Sequence, residues 1–298
     1  MTYARLAFLM VATVFCGPLF AQDDVVEVPF EIVGGHIVLS VGLNGHGPYR
    51  MILDTGASVS IIDMSRATAE NLHLGRKTIV AAPLVGNGRF SGLWTKIPRV
   101  TLGAFSETNV DAVAVEFSEM VSNADGILGY SFLKNHIVRI DYQRHLLRLY
   151  PRTISDNHAA GLDASRSAVV PFRLKNGGIL FDIKINGQNA VASIDTGAPV
   201  ALMFTRQVVS RLGLPEPVMV VNVISSNGNQ RVVQPTIQTK VREIAIGTIL
   251  LESPPVVVLS RQLPATLTWD VNIGSDFLKG YVITIDYVRK KLLLERNS

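Results

Sequence analysis

The feature that most constrains this chain is a short motif that occurs twice. An apolar run ends in Asp-Thr-Gly-Ala at residues 51–57, and a second apolar run ends in the same four residues at 192–198. A single Asp-Thr-Gly is a common turn sequence, because Asp accepts hydrogen bonds from the backbone that follows it and Gly permits tight turns. Two copies in matched surroundings would instead indicate an internal repeat.

The surroundings of the two motifs match. Each is preceded by a Gly-Gly pair and an Asn-Gly pair, and followed by two apolar segments, in the same order and with the same spacing between the two segments. In the first half these are Gly34-Gly35, Asn44-Gly45, 125–133 and 140–142, and in the second half Gly177-Gly178, Asn186-Gly187, 270–278 and 285–287. The chain is therefore a duplicated unit.

The repeat predicts two homologous lobes that are mostly β-strand. An Asn-Gly pair between two strand-like runs favours a two-residue hairpin turn. After each Asp-Thr-Gly-Ala we expect a short helix, the first from Asp63 or Ser65 to near Gly75 and the second from Thr205 to near Gly213.

The lobes are separated by a segment rich in small and polar residues. We expect an N-terminal lobe at 22–152, a linker at 153–168 and a C-terminal lobe at 169–298.

The first residues, 1–21, have the pattern of a secretory signal peptide. Arg5 gives a positive start, a short apolar run follows, and Ala21 would precede the cut. We therefore expect an exported protein, periplasmic or secreted. Cys16, the single cysteine, leaves a lipid anchor as an alternative.

Composition narrows the class of protein. Apolar residues make up 48% of the chain and charged residues 17%, as in a globular protein. The net charge of +4 is scattered, so we expect no nucleic-acid partner. No apolar stretch after residue 22 is long enough to span a membrane.

The duplication indicates that the two aspartates could act together as an acid–base pair. A two-fold axis brings equivalent loops together, so Asp54 and Asp195 would face each other if the axis passes near them. Two neighbouring carboxyls share one proton, because both cannot ionise easily. The ionised member can take a proton from water while the protonated member donates to a carbonyl oxygen, which is general base and general acid in one pair.

The residues beside the aspartates fit this role. Gly56 and Gly197 would allow close approach of the backbone, and Thr55 and Thr196 could hydrogen-bond across the axis.

This motif set resembles the aspartic peptidases of the pepsin and retropepsin type. The resemblance rests on both Asp-Thr-Gly-Ala loops and on the later segments 127–129 (Ile-Leu-Gly) and 272–274 (Asn-Ile-Gly), which in that family thread beneath the catalytic loops. It implies two acid-protease lobes of the double-ψ β-barrel type, with short helices, a pseudo-two-fold axis and a cleft between the lobes. It also implies an aspartic endopeptidase with catalytic Asp54 and Asp195, no cofactor and no metal. We expect an extended peptide or protein substrate and a monomer whose lobes form a pseudo-dimer.

Two departures from the family pattern carry expectations. Ala57 and Ala198 stand where pepsin-like chains often have a hydroxyl residue. Loss of a hydrogen bond to a carboxylate favours its protonated form, so we expect a pH optimum less acidic than pepsin's. Asn272 interrupts an apolar segment, and we expect looser packing there.

Two further Asn-Gly pairs are candidate flap tips over the cleft, at Asn87-Gly88 and Asn227-Gly228. Ordinary surface hairpins remain an equal alternative for both.

Other chemistry has less support in the sequence. The six histidines show no paired metal-ligand spacing, and we expect them at the surface or in turns. Tyr142 and Tyr287 lie in apolar strands and are expected in the core. The rival function is that of a peptide-binding protein with the same fold, either non-catalytic or of very narrow specificity.

Overall fold

The structure, a computed structural model, consists mainly of β-strands. It describes residues 25–81, 89–117, 123–150, 166–216, 219–227, 230–259 and 268–297. The strands of the first half are β1 (Val26–Pro29), β2 (Glu31–Val33), β3 (His36–Leu43), β4 (His46–Leu53), β5 (Ser60–Asp63), β6 (Lys77–Ala81), β7 (Arg89–Leu102), β8 (Phe105–Val115), β9 (Gly126–Leu128), β10 (Ile137–Asp141) and β11 (Leu146–Tyr150). Those of the second half are β12 (Ser167–Pro171), β13 (Arg173–Lys175), β14 (Gly178–Ile185), β15 (Gln188–Asp195), β16 (Leu202–Phe204), β17 (Met219–Asn227), β18 (Gln230–Thr239), β19 (Glu243–Ile246), β20 (Ile249–Glu252), β21 (Val256–Leu259), β22 (Val271–Gly274), β23 (Tyr281–Asp286) and β24 (Lys291–Arg296). The helices are α1 (Met64–Ala69), α2 (Tyr130–Leu133), α3 (Arg206–Arg211) and α4 (Ser275–Leu278).

The predicted hairpins that precede the motifs are confirmed. Asn44 and Gly45 join β3 to β4 with φ of 51° and 91°, and Asn186 and Gly187 join β14 to β15 with φ of 50° and 79°. Two successive residues with positive φ match the twist of the flanking strands, and Asn and Gly adopt this conformation most readily. These turns set the register that carries each strand into its Asp-Thr-Gly.

The helices that follow the motifs begin where the sequence predicts. Asp63 caps α1 by accepting the N–H of Ser65 at 2.9 Å, and Thr205 caps α3 by accepting the N–H of Val208 at 3.2 Å. The predicted end of the first helix near Gly75 is wrong. Its last helical residue is Ala69, and the backbone turns away at Asn71, where φ is 51°.

Three sheets organise the chain. An eight-stranded sheet belongs to the first half, with the order β2-β3-β4-β9-β5-β8-β7-β6. A second sheet belongs to the other half, with the order β17-β18-β21-β16-β22-β15-β14-β19-β20 and with β13 paired to β14. The third, β1-β11-β10-β23-β24-β12, takes three strands from each half and joins them.

The joining sheet locates the pseudo-two-fold axis. Strands β10 and β23 are antiparallel neighbours, and Arg139 pairs with Thr284 in their register. These two residues are 145 positions apart, the same spacing that relates the repeated segments, and the Arg139 side chain donates to the Thr284 hydroxyl at 3.1 Å. Equivalent residues that pair directly must lie on the axis of the repeat, so the axis passes between them.

The core predictions for the paired tyrosines are confirmed. Tyr142 is 4% exposed and Tyr287 is 3% exposed. Phe30 packs edge-on against Tyr142, and Phe172 packs in the same way against Tyr287. The duplication therefore extends to the side chains beneath the two lobes.

The predicted signal peptide, 1–21, lies outside the described residues, as does most of the predicted linker. Ser167 and Ala168, the last two residues assigned to that linker, are the first two residues of β12. The domain boundaries otherwise stay predictions. Within the described ranges, no helix combines the length and apolar character needed to cross a membrane.

Candidate active site

Each Asp-Thr-Gly loop leaves the end of a strand held on both sides. Strand β4 runs parallel to β9, with Leu53 opposite Leu128, and β15 runs parallel to β22, with Asp195 opposite Gly274. The segments that the family resemblance places beneath the catalytic loops are β9 and β22. Both loops therefore start from strands whose last residues are held by a parallel neighbour.

Two threonines fasten the loops to each other. The N–H of Thr55 donates to the hydroxyl oxygen of Thr196 at 3.1 Å, and the N–H of Thr196 donates to the hydroxyl oxygen of Thr55 at 3.1 Å. The hydroxyls donate onward, Thr55 to the carbonyl of Ile194 at 3.2 Å and Thr196 to the carbonyl of Leu53 at 2.7 Å. Both threonines are fully buried. This reciprocal set of bonds fixes the position of one loop relative to the other.

The glycines bring each loop against the aspartate of the opposite lobe. A Cβ atom added at Gly56 would stand 2.6 Å from the carboxyl carbon of Asp195, and one added at Gly197 would collide in the same way with Asp54. Any side chain at either position would displace a carboxyl. The glycines are thus a steric requirement of the pair.

The two carboxyls interact directly. Each carboxyl lies against the glycine of the opposite loop, and the charge of Asp195 acts on the Asp54 carboxyl. Asp54 also accepts the N–H groups of Gly56 at 2.8 Å and Ala57 at 3.1 Å, and Asp195 accepts the N–H of Gly197 at 3.0 Å. Both residues are partly buried. The structure therefore brings together all six residues predicted for the centre of the site.

Burial raises the pKa of the Asp54 carboxyl well above its usual range, and the negative charge of Asp195 raises it further. The N–H groups of Gly56 and Ala57 act in the opposite direction and are outweighed. The pair can therefore hold a proton at a pH where an ordinary aspartate has lost it.

Asn272 is the residue of the site that the sequence analysis missed. Its side-chain amide donates to the second carboxyl oxygen of Asp195 at 2.9 Å, and its amide oxygen accepts the hydroxyl of Ser193 at 3.1 Å. The predicted looser packing at this position is wrong, because Asn272 is only 1% exposed. One feature of the sequence could have indicated this role. Ser193 is likewise a polar residue in an apolar run, and it is the residue that pairs with Asn272 across β15 and β22.

The Gly-Gly pairs of the repeat contact the opposite lobe. A Cβ atom at Gly35 would lie 2.8 Å from that of Pro199, and one at Gly177 would lie 2.9 Å from the backbone of Ser58. Ser275 adds a hydrogen bond to the carbonyl of Gly35 at 3.1 Å. Each pair thus supports the chain that follows the other lobe's motif.

The candidate flap tips are only partly described. Asn227 ends β17 and pairs with Gln230 of β18, whereas Asn87, Gly88 and Gly228 lie outside the described residues.

His136 lies in a turn, as expected, and its N–H donates to the carbonyl of Leu133 at 3.0 Å, but the sequence analysis did not predict its burial. It is 5% exposed, because Phe105 and Phe132 pack on its ring. Its Nε2 atom lies 3.2 Å from a carboxyl oxygen of Glu107. Within the ranges that the structure covers, no three His, Cys, Asp or Glu side chains gather as potential metal ligands.

Comparison with known proteins agrees with this geometry. A search of curated proteins found no significant sequence relative. The chain is similar in structure to basic 7S globulin from soybean, with a TM-score of 0.52, 12% identity, and coverage of 93% of this chain and 96% of that chain. This likeness and the sheet architecture confirm the predicted two-lobed, mostly-β acid-protease fold. The sequence profile described as aspartyl protease matches residues 39–132 and 181–277, which is one match in each half of the repeat. The chain belongs to the aspartyl protease family.

Proposed function

We propose that this protein is an aspartic endopeptidase and that Asp54 and Asp195 are its catalytic residues. The observation that carries the proposal is the meeting of two carboxyls at the pseudo-two-fold axis, each against the glycine of the opposite loop. Thr55, Gly56, Thr196 and Gly197 hold the pair in place. No covalent intermediate is required.

The chemistry follows from one shared proton. The ionised carboxyl takes a proton from a water molecule, whose oxygen bonds to the carbonyl carbon of the peptide, while the protonated carboxyl gives its proton to the carbonyl oxygen. The tetrahedral product then collapses. The carbon–nitrogen bond breaks as the protonated carboxyl gives its proton to the nitrogen and one hydroxyl of the tetrahedral product gives its proton to the ionised carboxyl, so the pair again holds one proton.

The substrate in this proposal is an extended peptide in the cleft between the lobes. Backbone hydrogen bonds to strand edges would hold it, as in other cases where a peptide adds to a sheet. The hairpins β6–β7 and β17–β18 are the candidate flaps in this proposal, and Asn87, Gly88, Asn227 and Gly228 stay the tip residues predicted from the sequence. The pairing of Asn227 with Gln230 supports a hairpin at the second of these.

We also propose that the protein is exported to the periplasm or secreted, on the basis of the N-terminal pattern at 1–21. The mass of the mature N-terminus tests this, since cleavage after Ala21 and lipidation of Cys16 give different masses. We expect the folded chain to act as a monomer.

The test of the function is a mixed peptide library incubated across acidic to neutral pH with the wild type, Asp54→Asn and Asp195→Asn. We expect cleavage by the wild type and a loss of about 10³-fold or more in each variant, since a member of the pair then can no longer exchange a proton. Circular dichroism must show that the variants are folded. Absence of cleavage by folded wild-type protein at every pH would support the peptide-binding alternative.

A further inference from the structure

The two lobes differ at one pair of residues beside the aspartates. In the first lobe Ile52 pairs with Ile127 across β4 and β9, and in the second Ser193 pairs with Asn272 across β15 and β22. These are equivalent positions, since each pair lies two residues before its aspartate on one strand and at the first position of the later segment on the other. The same backbone frame thus carries an apolar pair beside Asp54 and a polar pair beside Asp195.

The polar pair, Ser193 and Asn272, directs a hydrogen-bond donor toward the carboxyl of Asp195. Ser193 donates its hydroxyl proton to the amide oxygen of Asn272 at 3.1 Å, so the amide nitrogen of Asn272 must point the other way. That nitrogen donates to Asp195 at 2.9 Å. Ser193 is 7% exposed and Asn272 is 1% exposed, so water does not compete for either group.

A donor held in this position favours a negative charge on its acceptor, because hydrogen bonds to ionised groups are about twice as strong as those between neutral groups. Ile127 has no donor to offer Asp54 at the equivalent place. Two backbone N–H groups favour an ionised Asp54, but burial, the largest influence, raises its pKa. The N–H groups of Gly56 and Ala57 both donate to Oδ1 of Asp54, whereas Asp195 accepts a donor at each oxygen, from Gly197 at Oδ1 and from Asn272 at Oδ2.

We propose that Asn272, oriented by Ser193, holds the negative charge of the pair on Asp195 and leaves the shared proton on Asp54. Given the proposed function, on which this inference rests, Asp195 is the base that activates water and Asp54 is the acid that protonates the carbonyl oxygen. Asn272 is a positioning residue, since it acts through Asp195.

Other titratable groups face the pair and must be separated from this effect. The charge of Asp195 acts on His36 and Tyr142, and that of Asp54 acts on Tyr287. Burial raises the pKa of both tyrosines, so they stay neutral across the acidic range. His36 differs, because burial lowers its pKa while Asp195 raises it and Lys279 lowers it. It can therefore change charge at acidic pH.

The experiment is the pH profile of kcat/KM for the wild type and Asn272→Leu, which keeps the branched shape and removes the donor. Without the donor the first ionisation of the pair becomes harder, so the acidic limb should move up by about one pH unit while the alkaline limb stays in place. The shift should persist in a His36→Gln background. Ile127→Leu, the matched change in the first lobe, should leave both limbs in place.

Ser193→Ala is the second variant. It removes the group that orients the amide, so it should shift the acidic limb in the same direction by less. It also keeps the test decisive if Asn272→Leu does not fold. A uniform loss of activity with both limbs unmoved would show a merely structural role and overturn the inference.

A readout without turnover separates this inference from the proposed function. In protein labelled with ¹³C at the aspartate carboxyls, the signals of the pair are assigned by their disappearance in Asp54→Asn and Asp195→Asn. At a pH where the pair holds one proton, we expect the carboxylate chemical shift at Asp195 in the wild type and a weaker preference for that residue in Asn272→Leu. If the carboxylate shift appears at Asp54 in the wild type, the inference is wrong. If the charge lies on Asp195 as expected but no peptide is cleaved, the proposed function alone fails.

Discussion

The two lobes hold their aspartates on the same backbone frame and surround them with different side chains. In both, a strand that ends in Asp-Thr-Gly runs parallel to a later strand, and the threonines bond reciprocally across the axis. The difference lies in the pair beneath each aspartate, which is Ile52 with Ile127 in one lobe and Ser193 with Asn272 in the other. The comparison teaches that the features shared by the lobes, the paired strands and the threonine bonds across the axis, bring the carboxyls together. The asymmetric side chains can then give two identical residues different roles.

The largest expected effect comes from breaking a feature that the lobes share. In Gly56→Ala and in Gly197→Ala the new methyl group would displace the opposite carboxyl. We expect kcat/KM to fall about 10²-fold or more in each, because misplacement of a catalytic group by about 1 Å has effects of that size. Gly178→Ala is the matched control, since its Cβ would find only an ordinary contact, 3.4 Å from the carbonyl of Lys175. Full activity in Gly56→Ala would show that Asp195 need not occupy its observed position.

The next effect concerns stability and should again be equal in the two lobes. Thr55→Val and Thr196→Val each remove a buried hydroxyl that accepts the opposite N–H and donates to a carbonyl. We expect each to lower the free energy of unfolding by about 2 kcal/mol, because buried partners are left unsatisfied. Urea denaturation measures this.

The threonine pair should also be non-additive, since the two residues share their bonds. Thr55→Ser and Thr196→Ser keep the hydroxyl and serve as controls. Strongly unequal losses of unfolding free energy in the two single variants, or strict additivity in the double variant, would show that the cross-axis hydrogen bonds do not act cooperatively.

The smallest effect is a dependence of stability on pH that arises from Asp54. Its pKa is raised in the folded protein, so the folded state binds more protons than the unfolded state above pH of about 3.9, the usual value for aspartate. Stability therefore falls as the pH rises from there toward the raised pKa. Asp54→Asn removes this cost and should be more stable than the wild type at pH 7.

The gain from Asp54→Asn should vanish at pH 3, where the carboxyl is protonated in both states. Thermal unfolding at several pH values measures it. A variant that is less stable than the wild type at pH 7 would contradict the raised pKa of Asp54.

The parts of the fold that sequence predicted are those set by short local signals. Asn44-Gly45 specifies its own turn geometry, and the caps Asp63 and Thr205 bond to backbone only two or three residues away. The central site could be predicted for the same reason. Each Asp-Thr-Gly is a contiguous motif, and the second copy of the repeat supplies the second aspartate. The end of α1 was not, since no glycine or proline marks the turn at Asn71.

What the sequence analysis missed depends on residues far apart in the chain. Asn272 bonds to Asp195 across 77 positions, and from sequence it is only a polar residue in an apolar segment. His136 is buried because Phe105, the first residue of β8, packs against its ring. In both cases a polar side chain is buried against a residue that is distant in the sequence. The residues next to it in the chain do not indicate that contact.

The most direct test of the central claim, that two carboxyls share one proton in the working site, is the pH profile of kcat/KM of the wild type on one identified peptide. Activity should rise as the first carboxyl of the pair ionises and fall as the last proton leaves, which gives a bell with two limbs. A profile with a single limb that stays high toward alkaline pH would contradict the account, because the site would then work without the shared proton.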